Sequence, residues 1–302
     1  MSNYLPHIAN IVLTARIWKN LPLLFIFLSG MIIGNNKIIF EVAIVAIVAI
    51  AFSSAFMTHL NIITDRKLDL IEKPHLYKML STNVSVMKGA LSLELLIVLI
   101  GIIMLLILKA YFTAGFILCF TVVTILYSYN FFSSRPEENR LKVFWHGHFF
   151  VLITGYLSLW YAGFFAGNTI DHPTSWTFVF LSISISEYAL FLFESAVDQK
   201  AEKQIKLKTI AALLGKARST YLSVGLALLG LLLLYYSYSY CPNKQILNLS
   251  FLPVSMFIFL FLAYVSAKRL YAKQETYKVP DLIFNIGRLY ILFTIIYIKY
   301  LQ

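Results

Sequence analysis

Charged side chains are scarce in this sequence. They make up 13% of 302 residues, about half the ~25% of a soluble domain. Acidic residues are the scarcer sign, 14 against 25 Lys and Arg. That shortage excludes an ordinary water-soluble domain. Cysteine is nearly missing too. Only Cys119 and Cys241 occur, one inside an apolar run and one beyond the end of another, so neither a disulfide framework nor a cysteine-ligated metal centre is expected. The alternation of apolar and polar residues that marks membrane β-strands is absent, which excludes a barrel. No small-residue cleavage site follows Arg16, Trp18 and Lys19 before the next apolar run, which argues against a cleaved signal peptide.

What the chain has instead is apolar residues, 60% of the total, gathered in long blocks. Amphipathic stripes would mark a soluble core. A helix needs about 20 apolar residues to cross ~30 Å of hydrocarbon. Nine windows qualify, at roughly 21–36, 38–60, 89–108, 110–133, 146–169, 174–196, 219–240, 246–267 and 281–299. The expected fold is therefore all-α. It is a polytopic membrane bundle of nine transmembrane helices in one domain over residues 1–302.

The basic residues orient it. With the N-terminus inside, the inner segments hold 20 Lys and Arg, the outer ones hold four (Lys37, Lys109, Lys244 and Lys299), and Arg288 falls in the last span. Such a bias sets the N-terminus in the cytoplasm. If the organism is bacterial, the membrane is the inner one. The formal charge of +11 then reflects topology and contact with anionic membrane lipids. It does not indicate nucleic-acid binding. The outer loops are short and the inner loops carry the charge, so function is expected at the cytoplasmic face.

Two inner segments share a pattern. Asn61, Asp65 and Asp69 close the second span, and Glu194, Asp198 and Glu202 close the sixth, each set spaced by four and offset from the other by 133 residues. This suggests a duplicated four-helix unit with a ninth helix added. Residues four apart lie on one helical face, about 6 Å apart along the axis. Carboxylates stacked in this way repel one another, and a divalent cation removes the repulsion. Oxygen donors suit Mg²⁺, which binds few protein ligands together with phosphate oxygens. Arg66, Lys67 and Lys73 follow the first set, and Lys203, Lys206 and Lys208 the second. Metal and Lys/Arg together stabilise charge on a phosphoryl leaving group. Glu187 and Glu194 lie within the sixth span, where acids default to a functional reading. Glu41 and Glu94 fall near the outer ends of spans 2 and 3 and are read as structural.

The first motif resembles the NxxxDxxxD signature of the UbiA superfamily of intramembrane prenyltransferases, and Asp69-Leu-Ile-Glu-Lys73-Pro74 resembles its continuation. Asp198 and Glu202 resemble the family's DxxxD. Lys208-Thr-Ile-Ala-Ala-Leu-Leu-Gly215 and Tyr127-Ser128 with Arg140-Leu141-Lys142 resemble two further segments. The likeness covers nearly the whole chain. It departs from the pattern at Glu202, which stands for an Asp, and at Lys206, which stands for a glycine. It departs again at His75-Leu76-Tyr77-Lys78, where Arg-Pro is usual, and in extra residues around Ser133 to Asn139.

The resemblance implies a central cavity open to the cytoplasm, in which an isoprenyl diphosphate donor meets Mg²⁺. Asn61, Asp65, Asp69, Glu194, Asp198 and Glu202 are the implied metal ligands, with Asp65, Asp69, Asp198 and Glu202 as the catalytic acids. Arg66, Lys73, Tyr127, Ser128, Lys142, Lys208 and Glu187 are the implied substrate contacts. Ionisation at C1–O would leave an allylic cation. Tyr127, Trp145, Tyr156, Tyr188 and Phe191 are placed to stabilise it with their ring faces. A small aromatic or lipophilic acceptor would then take the prenyl group, with Glu187, Glu194, His146 or His148 as its base. Cyclisation of the donor without an acceptor, phosphoribosyl transfer to a polyprenyl phosphate, and transport are the competing readings.

Overall fold

Helices form where the apolar windows predict them. The structure, a computed structural model, describes residues 17–65, 84–129, 140–169, 174–204 and 207–239. The spans expected at 246–267 and 281–299 lie outside the described residues, as do Arg66, Asp69 and Lys73. In chain order the elements are α1 (Ile17–Gly34), β1 (Asn35–Ile38), α2 (Phe40–Thr64), α3 (Val84–Ile107) and α4 (Tyr111–Ser128). A 3-10 turn (Leu141–Val143) leads into α5 (Trp145–Phe164), β2 (Gly167–Thr169), α6 (Thr174–Gln204), the short α7 (Ile210–Leu214) and α8 (Lys216–Ser239). The seven long helices correspond one to one with the first seven windows. Several run past their windows, and α2 and α6 do so at the ends that carry the acidic motifs. α2 continues to Thr64 and α6 to Gln204, because helical hydrogen bonding carries on into the polar residues that follow the hydrocarbon-crossing part.

Among the described residues, three helices are long and apolar enough to cross a membrane: Phe40–Thr64, Met87–Ile107 and Tyr111–Ser128. At 25 residues, α2 reaches about 37 Å, which exceeds the ~30 Å of hydrocarbon. α3 shows what lies around the bundle. Leu93, Leu96, Ile100, Ile103 and Ile107 form one exposed stripe on it, each 47–73% accessible. A soluble monomer rarely leaves such a patch in water, whereas lipid tails cover it without cost. The chain is an integral membrane protein on these grounds.

The interior is close-packed and aromatic. Phe27, Ile50, Ile117, Leu159, Trp160, Phe164 and Phe180 are essentially inaccessible and belong to one cluster contributed by α1 to α6. α1 packs against α5, α2 against α3 and α4, and α6 against α5 and α8. The α1–α5 contact depends on glycine. A Cβ on Gly30 would sit 2.1 Å from the Trp160 carbonyl oxygen, and one on Gly163 would sit 2.0 Å from that of Phe27. Small residues let membrane helices approach closely in this way. Hydroxyls add bonds between helices. Ser53 and Thr121 share one of 3.0 Å between α2 and α4, Thr113 donates to the Ala162 carbonyl at 3.1 Å, and Ser182 donates to that of Gly230 at 2.6 Å.

The all-helical expectation needs one small addition. Two of the expected short outer loops pair as an antiparallel ribbon, β1 with β2, with Asn35 opposite Thr169 and Ile38 opposite Gly167. This ribbon closes the end of the bundle opposite the acidic motifs.

Glu94 needs a correction. It lies mid-way along α3, not near its outer end, and is buried against His59 of α2, with Nδ1 and Oε1 2.8 Å apart. A buried carboxylate must find a polar partner, and His59 supplies it. Glu41 is exposed in the first turn of α2.

Candidate functional site

Asn61 and Asp65 stand where α2 ends. The helix stops at Thr64, and Asp65 is its C-cap, with its backbone N–H still donating to the Asn61 carbonyl at 2.7 Å. The first acidic column is therefore helical through Asn61, with Asp65 at the cap. The Asn61 side-chain oxygen accepts from Ser128 at the last turn of α4, at 2.7 Å. The Asp65 carboxylate is buried and held by two cations. Arg140 Nη2 donates to one oxygen at 2.6 Å, and Lys142 Nζ donates to the other. Burial alone would push the Asp65 carboxyl up, but Lys142 and Arg140 outweigh it and hold the group below the usual carboxylate range. Tyr127 stands beside this pair, its ring centroid 5.9 Å from Lys142 Nζ.

The second motif arrives from α6. Glu187, Glu194, Asp198 and Glu202 are carried on one continuous helix. The side chains of the first three lie outside the described residues, as does that of Trp145. Glu202 is buried, and its carboxylate accepts from Ser195 Oγ at 2.9 Å and from Thr209 Oγ1 at 2.5 Å. Thr209 also caps α7, its hydroxyl accepting from the Ala212 N–H at 3.1 Å. One carboxylate thus ties the end of α6 to the start of α7.

The backbone joins the two motifs. Lys208 N–H donates to the Val143 carbonyl at 3.0 Å, and Phe144 and Lys208 form a parallel bridge. The link after Glu202 is stitched in this way to the turn that carries Arg140 and Lys142. The Lys208 side chain itself is exposed, so its visible contribution is made through the backbone. Gly147 lets α5 start against the same turn, since a Cβ there would lie 2.0 Å from the Leu141 carbonyl oxygen. The two acidic motifs therefore face one region, at one end of the bundle.

Three contributors were given no role from the sequence, although Arg140 and Thr209 fall within segments that resemble the family's. Arg140 is 3% exposed, and its Nε and Nη1 have no hydrogen-bond partner among the described residues. Buried donors left over in this way suit an anionic ligand. Ser195 and Thr209 are the other two. Ser195 stands two helical turns before Glu202, a same-face spacing that could have found it. Of the ring candidates, Phe191 stacks on His148 with centroids 4.1 Å apart. Tyr188 is buried edge-on to Phe149, and Tyr156 packs against the main core. His146 is exposed.

Asn61, Asp65 and Glu202 present carbonyl and carboxylate oxygens, the donors that a hard cation such as Mg²⁺ prefers. No group of three acidic, His or Cys ligands assembles among the described residues. The chemistry of the donor set fits the ion, and the unpartnered Arg140 donors fit the phosphate it would accompany.

Comparison with known proteins decides the family. The sequence model of the UbiA prenyltransferase family matches residues 23–286. This chain belongs to that family. Its class is accordingly that of an enzyme, a prenyltransferase. Its fold resembles a UbiA homolog from Archaeoglobus fulgidus, solved bound to GPP and Mg²⁺. The two are 16% identical, with a TM-score of 0.74 over 95% of this chain and 99% of that one. The same archaeal protein bound to DMAPP and Mg²⁺ gives a TM-score of 0.72 at 16% identity, with the same coverage. A structure described as digeranylgeranylglyceryl phosphate synthase gives 0.65 at 16% identity, covering 96% of this chain and 98% of that one. None of the curated proteins matches. At these identities the structural likeness establishes the UbiA fold.

Proposed function

We propose that this UbiA-family enzyme moves an isoprenyl group from an isoprenyl diphosphate to a small aromatic or lipophilic acceptor, as in quinone or isoprenoid biosynthesis. The observation that carries the reading is the buried Asp65 carboxylate between Arg140 and Lys142, with spare Arg140 donors beside it. It is an anion-binding pair of cations fixed to a metal-type ligand. Nine spans, a cytoplasmic N-terminus and a cavity open on that side complete the reading, supported by the basic-residue bias and by the convergence of both motifs at one end.

Asn61, Asp65, Asp69, Glu194, Asp198 and Glu202 would hold Mg²⁺. When bound, the ion would neutralise charge on the diphosphate leaving group. Arg140 and Lys142 lie within reach of the same region and would contact phosphate oxygens, with Arg66 and Lys73 joining from the segment after Asp65. Ser128 fixes the orientation of the Asn61 amide by donating to its oxygen. Thr209 and Ser195 fix Glu202. Breaking the C1–O bond sends its electron pair to the diphosphate and leaves an allylic cation. Tyr127, with its ring beside Lys142, is an aromatic that could steady that cation. The surrounding bundle keeps out water, which would otherwise quench the cation.

The test uses the purified full chain in detergent with geranyl diphosphate and Mg²⁺. Diphosphate release that needs the metal, and that falls at least 100-fold in both Asp65→Ala and Asp198→Ala, is expected. A hydrocarbon product formed from the donor alone would instead identify a cyclase. No release from allylic diphosphates of any length by folded protein would sink the proposal.

A further inference from the structure

His59 and Glu94 meet inside the bundle and take no part in the chemistry proposed above. His59 is on α2 and wholly buried, Glu94 is on α3 and 6% exposed, and Nδ1 and Oε1 stand 2.8 Å apart. The other carboxylate oxygen, Oε2, accepts from nothing among the described residues. Any turn of α2 that broke the contact with His59 would strand a carboxylate among apolar side chains, and a buried polar group without a partner is costly. The contact is therefore a latch with one angle. Further along the same interface α2 meets α3 through apolar atoms, as where Ala49 faces Gly101, and apolar contacts have no preferred direction.

That angle matters because of what the same helix carries. Asn61 follows His59 by two residues, about 200° around the helix, so the two side chains leave opposite faces. His59 reaches α3, and Asn61 reaches Ser128 of α4 at 2.7 Å. Asp65 caps α2 with its N–H bonded to the Asn61 carbonyl at 2.7 Å, so it turns with the helix. A side-chain atom ~6 Å from a helix axis moves about 1 Å for each ~10° of rotation. Mg²⁺ demands ligands at ~2.1 Å in a near-ideal octahedron, so a slip of that size takes a ligand out of reach.

We infer that His59 and Glu94 are a positioning pair for metal binding, fixing the rotation of α2 so that Asn61 and Asp65 present their oxygens together to Mg²⁺. This rests on the reading of those two residues as metal ligands and goes beyond it. The role is angular, not cohesive. Two apolar side chains could hold α2 to α3 as firmly, since exchanging a buried polar pair for apolar residues is often neutral for stability. They could not fix its rotation.

The test uses full-length protein in detergent with inorganic diphosphate. It reads the rise in Tm as Mg²⁺ is titrated in, which reports binding without turnover. Without ligand, His59→Leu/Glu94→Leu should unfold within about 3 °C of wild type. It should nevertheless need at least ~10-fold more Mg²⁺ to reach half of the shift, the scale on which lost orienting partners weaken metal binding. In turnover of geranyl diphosphate its KM for Mg²⁺ should rise to match, with kcat at saturating metal within about threefold of wild type. Glu94→Leu alone keeps the His59 ring and should show the same rise, which secures the test if the double variant does not fold. His59→Asn places an amide N–H where Nδ1 stood and should return the midpoint to within about threefold of wild type. Gly101→Ala crowds the α2–α3 contact, its Cβ lying 2.9 Å from that of Ala49, and should lower Tm while leaving the Mg²⁺ midpoint alone. A wild-type midpoint in the leucine variants, a Gly101→Ala midpoint that moves as far as theirs, or a His59→Asn variant no better than they are would each overturn the assignment. Failure of the metal-ligand reading looks different, because wild type then shows no Mg²⁺-dependent shift and both ideas fall.

Discussion

Gly147 touches neither motif and makes no polar side-chain contact, yet the geometry makes it a control point for the site. Its position would put a Cβ 2.0 Å from the Leu141 carbonyl oxygen, 2.6 Å from the Leu141 carbonyl carbon and 3.0 Å from its Cα. These are backbone atoms, so no side chain can swing aside. Gly147→Ala must push the turn at Leu141 back by about 1 Å to reach a tolerable contact. That turn sits between Arg140 and Lys142, which hold Asp65. The Arg140 bond is 2.6 Å long, and a retreat of about 1 Å along it passes the ~3.2 Å limit of a good N–H···O bond.

A misplacement of about 1 Å costs roughly 100-fold in rate, while overpacking costs about 1–3 kcal/mol of stability. Gly147→Ala is therefore expected to lower diphosphate release from geranyl diphosphate with Mg²⁺ by about 100-fold. It should also lower Tm by roughly 2–4 °C for each kcal/mol lost. Gly155→Ala is the internal control. It lies on the same helix, and the nearest atom to its Cβ is a Phe120 ring carbon at 3.6 Å, an ordinary contact. It should keep wild-type activity. If Gly147→Ala turns over within twofold of Gly155→Ala, then the turn does not set the position of Arg140 and Lys142, and the geometric reasoning is wrong.

Other changes follow from the same contacts. Asp65→Ala strips the carboxylate from two partly or fully buried cations, and removing one partner of such a cluster costs about 3–5 kcal/mol. Thermal unfolding without ligand should show that loss, and added inorganic diphosphate should restore part of the Tm. Thr209→Val removes both the α7 cap and one Glu202 partner, a loss of about 1–2 kcal/mol that Thr209→Ser should largely reverse in the same unfolding assay. A double-mutant cycle on His59→Ala and Glu94→Ala should give a coupling of about 0.5–2 kcal/mol, and additive effects would show that their contact carries no energy.

The sequence displays some of this plainly and hides the rest, for physical reasons. Helices were legible because a span must be long and apolar, and that constraint leaves continuous blocks. Their inner ends were less so, since polar residues continue a helix once it has left the hydrocarbon, as α6 does through Gln204. Asn61, Asp65 and Glu202 could be picked out because polar residues on one helical face repeat every four residues. Arg140 could not be. Its meaning comes from a partner 75 residues away, and no local period records that. Glu94 was misplaced in depth because the third span runs from the inside outward, so a residue early in the 89–108 window does not lie near its outer end, and His59, its partner, carries no signal until the two helices are packed.

Each acidic motif is braced by hydroxyls: Ser128, 67 residues away on α4, on Asn61, and Ser195 and Thr209, each seven residues away, on Glu202. Lys208 then bonds the backbone of the second motif's link to the turn bearing the cations of the first. The halves are therefore coupled by main-chain atoms, which cannot rotate away as side chains do. Preorganisation of this kind lets charged groups act without reorganising when negative charge develops on the leaving group. It also explains why Lys208 can stand exposed inside a segment that matters. The residue is placed for its N–H, and substitution of its side chain should be milder than any change that disturbs the Val143–Lys208 bond.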